Sequence, residues 1–387
     1  MILLAFRHAS SHWVRSLLIC ACVFVIAALP LVSRSVASEF EVSMTDRSST
    51  VPMLVGASGS RFDLVLAALH WRVSDIAPVA LRVADEIRLE PGVSAIPVHV
   101  RFSAQGAPIA AVPFEYYEFR GLVPREGRMV AQLGEAILGA DAARTLGLGP
   151  GDDLPSDQQR SYDITGPSSI VLNVVGVLTK TDTPDDDAVF VDLETAWLLE
   201  GIAHGHEEAS EVTDPSKLIG RSDERIALSG AVIEHQRVDA DNAAAFHLHG
   251  DRDTLPITAI LVMPGTDKAN AIVRTRMNAD ATRQAITPSE VAHELVESVL
   301  RVRALIDTVA LVVGIAMLGL FALVGMLTLR ARSDEIRTLQ DIGASRTQIT
   351  ALFLVEFGGI CSFALASALW LAWAASGYAD RLLALFA

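Results

Sequence analysis

Long uncharged runs alternate along this chain with stretches in which charge recurs every few residues, and the two patterns demand different surroundings. Val309 to Leu329 and Phe357 to Ser376 carry no charge, and each has about the 20 residues a helix needs to cross a bilayer. Leu17 to Val32 is a shorter run, preceded by Arg7 and Arg15 and free of acidic residues. Two readings are open for it. Ser35-Val36-Ala37 is a small-x-small triplet that fits a cleaved signal peptide. Alternatively, a retained helix begins near Trp13, an aromatic suited to the membrane interface. Either way the basic N-terminus stays inside and the middle of the chain is exported.

Thr287-Pro288-Ser289-Glu290 predicts a helix start: Thr287 caps, Pro288 takes the first helical position and Glu290 completes the box. Val291, Leu295, Val299, Val302 and Ile306 then recur three and four residues apart on one face. No breaker intervenes before Val309, so one helix is expected to run on to Arg332. Such a rod either carries displacement or simply anchors. Beyond it, Arg332 to Ile342 predicts a short helix ended by Gly343, the residue that most cheaply takes a left-handed turn. Ser345 with Gln348 sets up a capping box for the third apolar helix. Arg330, Arg332, Arg337 and Arg346 place this short link on the cytoplasmic side.

Phe40 to Ile286 reads as a mixed α/β region. Val98-His99-Val100, Asn173 to Leu178, Ala188 to Val191 and Ile257 to Met263 are short β-branched runs bounded by turn residues, as strands are. Ala142 to Leu146 predicts a helical turn or two, capped by Asp141 and stopped by Gly147. Ala269, Ile272, Val273 and Met277 share one helical face ahead of Ala285-Ile286. His204 to Ser229 is polar and without period, and is expected to be a loop.

Charge is uneven. From Arg34 to Arg303 there are 40 acidic and 24 basic residues, a net of −16, against 6 and 7 elsewhere, a net of +1. The acidic balance therefore belongs to the middle region and disfavours nucleic acid as a partner. Cys20, Cys22 and Cys361 all fall in apolar runs, so no disulfide holds the middle region together.

Arg332 to Phe357 resembles the signature of FtsX/MacB-type ABC transporter permeases, with Asp334-Glu335-Ile336-Arg337-Thr338-Leu339, then Ile342-Gly343-Ala344-Ser345-Arg346, then an apolar helix carrying Glu356. Leu54 to Ser60 with Asp63-Leu64-Val65-Leu66 is similar to the entry into the MacB-like periplasmic core domain. So are Ala136 to Ala140 with Leu146 to Asp152, and Val174 to Leu178 with Thr183-Pro184 and Val189-Phe190-Val191. The resemblance favours a retained first helix. It implies an α+β membrane protein with transmembrane α-helices and a large mixed α/β extracytoplasmic domain, in a bacterial inner membrane. The domains expected are a first segment and helix over 1–38, a MacB-like domain over 39–286, and an FtsX-like part over 287–387 with a coupling helix at 332–346. The family has a fourth membrane helix, whereas only Gly377 to Ala387 follows the third run. That stretch is too short to cross, which leaves a three-helix variant or a truncated reading frame.

Candidate chemistry is sparse. No Gly is followed by Lys anywhere, so the phosphate-cradling loop of an ATPase is absent. Gly56-Ala57-Ser58-Gly59-Ser60 lacks the second glycine of a nucleophile elbow and reads as a turn feeding a helix. His204, His206, His247 and His249 offer imidazoles that suit zinc, although a solvated acidic loop accounts for them without a metal. Asp182, Asp185, Asp186 and Asp187 match no calcium loop and read as a solvated turn. Glu356 is expected at the cytoplasmic start of the third helix, within reach of headgroups or a loop arginine.

The resemblance implies a non-enzymatic permease subunit. Arg332, Asp334, Glu335, Arg337, Gly343, Ser345, Arg346 and Glu356 would couple it to a separate ABC ATPase that holds the ATP and magnesium. Implied partners are a second permease chain, as homodimer or heterodimer, the lipid bilayer, and a periplasmic adaptor. Cargo would be lipoprotein, peptide, lipid or drug-like. The alternatives are a regulator of an envelope hydrolase and a membrane-anchored metal-binding protein.

Overall fold

A period of two decides the middle of the chain. Along Met53–Ala57 (β1), Leu54 turns to one side while Met53 and Val55 turn to the other, and all five residues are buried, as in a strand covered on both faces. The computed structural model describes residues 13–157, 169–205, 218–222, 225–228, 237–238, 242, 246–248, 251–331, 333–341, 343 and 345–376. The chain divides into two compact units, Thr45–His293, and Met1–Met44 with Glu294–Ala387. The sequence boundaries at 39 and 286 differ from these because Arg47, Val51 and Val291 are buried with the sheet unit.

Among the described residues, the main sheet of the sheet unit has ten strands. After β1 they are Val93–Ala104 (β2), Ala107–Ala111 (β3), Pro124–Gly127 (β4), Glu135–Leu138 (β5) and Asp153–Pro155 (β6). Val171–Leu178 (β7), Val189–Val191 (β8), Ala259–Pro264 (β9) and Arg283–Ile286 (β10) complete them. Their order is β10-β1-β9-β2-β3-β8-β5-β7-β4, with β6 also on β7. β3 pairs with β8, and β5 with β7, in parallel; the other pairings are antiparallel. One face, carrying Leu54, Val98 and Leu261, packs on the helix Arg61–His70. The opposite face, carrying Val55, Ile260 and Val262, packs on Arg82–Arg88 and Asp267–Asn278. The edge strands β4 and β6 are four and three residues long, and β4 is exposed throughout.

Three details depart from the sequence reading. The run Ile257 to Met263 is not one strand. Thr258 accepts the Val100 amide at 2.9 Å through its hydroxyl, and the chain breaks there into Pro256–Ile257, paired with Val79–Ala80, and β9. The helix Ala140–Leu146 is entered from Gly139 rather than capped by Asp141, which instead pairs with Arg144 at 2.8 Å. The stretch from His204 to Ser229 contains strands at Ala203–Gly205, Leu218–Ser222 and Arg225–Leu228 where it is described. Gly147 does stop its helix, at φ 69.

Gly139 is needed for space. A Cβ there would fall on the backbone carbonyl oxygens of Asp185 and Asp186. Gly139→Ala is therefore expected to cost about 2–3 kcal/mol by overpacking, read as a lower midpoint in thermal unfolding of the full chain.

The other unit consists of long helices. Trp13–Ser49 (α1) runs 37 residues, Pro288–Ala331 (α8) 44 and Arg346–Ser376 (α10) 31, with the helix Ser333–Asp341 (α9) between the last two. Labels α2 to α7 follow chain order over Arg61–His70, Arg82–Arg88, Phe114–Arg120, Ala140–Leu146, Leu193–Leu199 and Asp267–Asn278. Three of the helices, α1, α8 and α10, are long and apolar enough to cross a membrane. Arg34 lies 3.4 Å from Asp307, so charges flanking the first and second apolar runs meet. Phe321 and Phe357 pack edge to face at 5.5 Å.

Candidate functional site

The first candidate is the link between α8 and α10. α9 is terminated by Gly343 at φ +99, whose amide donates to the Gln340 carbonyl at 2.9 Å. Ser345 then opens α10. Its hydroxyl accepts the Gln348 amide at 3.3 Å, and its own amide donates to Gln348 Oε1 at 2.9 Å. This is the reciprocal pair of a capping box, and it fixes the direction in which the third helix leaves the link. Asp334, Glu335 and the exposed Arg337 all lie on α9, while Arg346 is the first residue of α10 and exposed. Arg332 lies outside the described residues. Glu356 differs from expectation. α10 begins at Arg346, well ahead of the apolar run, so Glu356 is inside a helix and buried, with 4% of its surface exposed.

The histidines are only partly brought together. Ala203–Gly205 pairs antiparallel with Phe246–Leu248, which sets His204 opposite His247 in register. His206 and His249 lie outside the described residues. Among the described residues no group of three or more His, Cys, Asp or Glu could hold a metal ion.

The second candidate was invisible in the sequence, and it overturns the reading of Asp185 and Asp186 as solvated. Arg47, in the last turn of α1, and Asp185 have side chains only 5% and 2% exposed. Arg47 Nη2 donates to Asp185 Oδ1 at 2.6 Å and Nη1 to Oδ2 at 2.9 Å, a two-pronged ion pair. Nη2 also donates to the Tyr116 hydroxyl at 2.8 Å, and Nε to the Leu69 carbonyl at 3.0 Å. Tyr116 and the Trp71 indole each donate to Asp185 Oδ1 at 2.9 Å. Trp71, Tyr116 and Phe190 surround the pair, with ring centroids 5.4 to 6.1 Å apart.

Local sequence explains how the carboxylate is presented. Thr183 caps the short 3-10 turn Pro184–Asp187. Asp186 points the other way, accepting the Thr181 amide at 2.9 Å and the Asp182 amide at 2.6 Å. Asp182 and Asp187 are exposed, and Asp182 pairs with Lys180 at 2.6 Å. Trp71 closes α2 in the left-handed conformation at φ 58, a rare place for a bulky side chain.

Burial alone would push the Asp185 carboxyl up, but Arg47 and the hydrogen bonds from Tyr116 and Trp71 outweigh it and hold it below its usual range. A depressed carboxylate stabilises the fold above its unfolded value, about 3.9, and that contribution is lost as pH falls below it. His70 and His99 act higher on the scale. Burial, then Arg47 and Arg120, push His70 down to about 3; burial, then Arg101, push His99 down to about 4. Both remain neutral in the fold at a pH where the unfolded chain has bound the proton, so stability falls as pH drops from about 6.5. Thermal midpoints are expected to decline from that pH downward, with His70→Gln reducing the slope. A midpoint flat between pH 6.5 and 5 contradicts this.

No family model matches the chain, and no curated protein matches it. Among solved structures, the extracellular domain of the noncanonic ABC-type transporter YknZ from Gram-positive bacteria is similar over 60% of this chain and 98% of its own, at 10% identity and a TM-score of 0.33. A likeness at that level assigns neither a family nor a function.

Proposed function

We propose that this chain is the membrane subunit of an ABC transport system of the FtsX/MacB type, multi-pass in a bacterial inner membrane with its sheet unit outside. It passes movement between a separate cytoplasmic ATPase and that unit. The observation that carries this reading is α8, 44 unbroken residues from Pro288, two residues beyond the end of the edge strand β10, to Ala331. At 1.5 Å per residue it measures about 66 Å, roughly twice the hydrocarbon thickness of a bilayer. It is followed by α9, a short helix that Gly343 ends in the left-handed region just before the Ser345–Gln348 box opens α10, so its exit is fixed as a docking element needs. The Arg34–Asp307 pair fits the topology, since both residues flank apolar runs at what would be the outer surface.

In this proposal ATP and magnesium are held by the ATPase, and two permease chains, identical or not, act together. Cargo is of the lipoprotein, peptide, lipid or drug-like kind, delivered with or without a periplasmic adaptor. The test is affinity purification of the tagged full chain from its native membrane. An ABC ATPase is expected to come with it, and the chain freed of that partner is expected to hydrolyse no ATP. Hydrolysis by the isolated polypeptide would overturn the reading.

A further inference from the structure

We infer that Arg47 and Asp185 are a force-transmitting tie, the positioning pair through which displacement of the first helix reaches the sheet unit. The inference rests on the transmission reading and adds to it a second mechanical link, one that does not run through α8.

Three observations carry it. Arg47 is part of a helix that is continuous from Trp13, with Pro30 inside its apolar run, and that extends well past that run, so movement of the turns beyond Pro30 acts directly on the Arg47 backbone. Its guanidinium is gripped from three separate places: the Leu69 carbonyl closing α2, the Tyr116 hydroxyl in α4 and the Asp185 carboxylate in the Pro184–Asp187 turn. That turn is itself immobilised, by Asp186 bonding back to Thr181 and Asp182 and by the close approach of Gly139. The left-handed Trp71 is the third observation. It holds a sterically costly conformation while its indole donates to Asp185, and such outliers persist where the surroundings over-determine them.

Cohesion alone asks for less. Two apolar side chains of similar volume would fill the same space without the desolvation cost of two charges, and such replacements are often neutral or stabilising. What the forked pair adds is direction. Two parallel hydrogen bonds fix both the distance and the rotation of the helix end, a directional constraint that the non-directional burial of apolar groups does not itself supply.

That contrast supplies the test, in the full chain reconstituted in lipid nanodiscs. The double variant Arg47→Met/Asp185→Leu removes both charges together, leaving neither uncompensated. Hydrogen exchange is followed over Val42–Ser49 and over the strand Val93–Ala104. The strand is expected to keep its protection, while exchange at the helix end rises by about tenfold, the scale of losing hydrogen bonds to a charged group. With the ATPase present, the variant is expected to bind it as the native chain does but to lose its transport-linked activity. If helix-end protection and activity both survive, the pair is packing and the inference falls. If no ATPase accompanies even the native chain, the transmission reading fails while the exchange result still judges the tie. Arg47→Lys covers the case of a double variant that does not fold. It keeps the charge without the fork, and unchanged helix-end exchange in it would equally overturn the proposal.

Discussion

Asp185→Ala is expected to destabilise the sheet unit by about 4 kcal/mol, because removing one partner of a buried ion pair leaves the other charge uncompensated. Arg47 would remain 5% exposed, facing Tyr116, Trp71 and a void. For a unit of this size each kcal/mol moves the thermal midpoint by about 2–4 °C, so a fall of about 8–16 °C is expected. Trp71 offers a local fluorescence probe, since its indole donates to the lost carboxylate. Asp182→Ala is the control. That residue is 82% exposed in its side chain and pairs only with Lys180 at the surface, where ion pairs contribute little. Equal midpoints for the two variants would restore the reading of this acidic tract as a solvated turn.

Gly343→Val is expected to have the largest functional effect. The position holds φ +99, which places a β-branched side chain in strain, yet a Cβ there meets nothing within 4 Å. The cost is therefore conformational, about 1–2 kcal/mol, and small beside the stability of packed membrane helices. The chain should insert normally and give the native protease pattern outside, while α9 points elsewhere and, under the proposed function, the ATPase no longer stays bound in pull-down. This phenotype differs from that of the Arg47/Asp185 double variant, which keeps the partner but not the activity. Retained association in Gly343→Val would remove α9 from the docking assignment; failed insertion would make Gly343 a structural residue only.

Local grammar was legible in the sequence, and long-range geometry was not. The start at Pro288, the left-handed Gly343 and the Ser345–Gln348 box all depend on residues within four positions of one another, so their types and spacing suffice. The α+β class followed from short β-branched runs such as Asn173 to Leu178, bounded by turn residues, and from the uncharged stretches. The Arg47–Asp185 pair joins residues 138 positions apart, and no local pattern records which carboxylate an arginine will meet. Three successive aspartates after a proline read as solvated because acidic side chains are rarely fully buried without a partner. The partner was the missing information. Thr258 misled for a related reason: a β-branched residue inside a β-branched run looks like strand until its hydroxyl is seen to take the Val100 amide.

The short edge of the sheet has a consequence for life in a crowded compartment. An unpaired edge strand is a template for another chain, and long flat ones invite aggregation. Here that edge is divided between β4 and β6, neither long enough to guide a newcomer. Pro124 lacks the amide that strand addition would use, and the exposed Arg125 and Glu126 stay solvated beside it. Copies brought close together in one membrane are thereby kept from zipping sheet to sheet along this side, and any pairing between them has to be made through other surfaces.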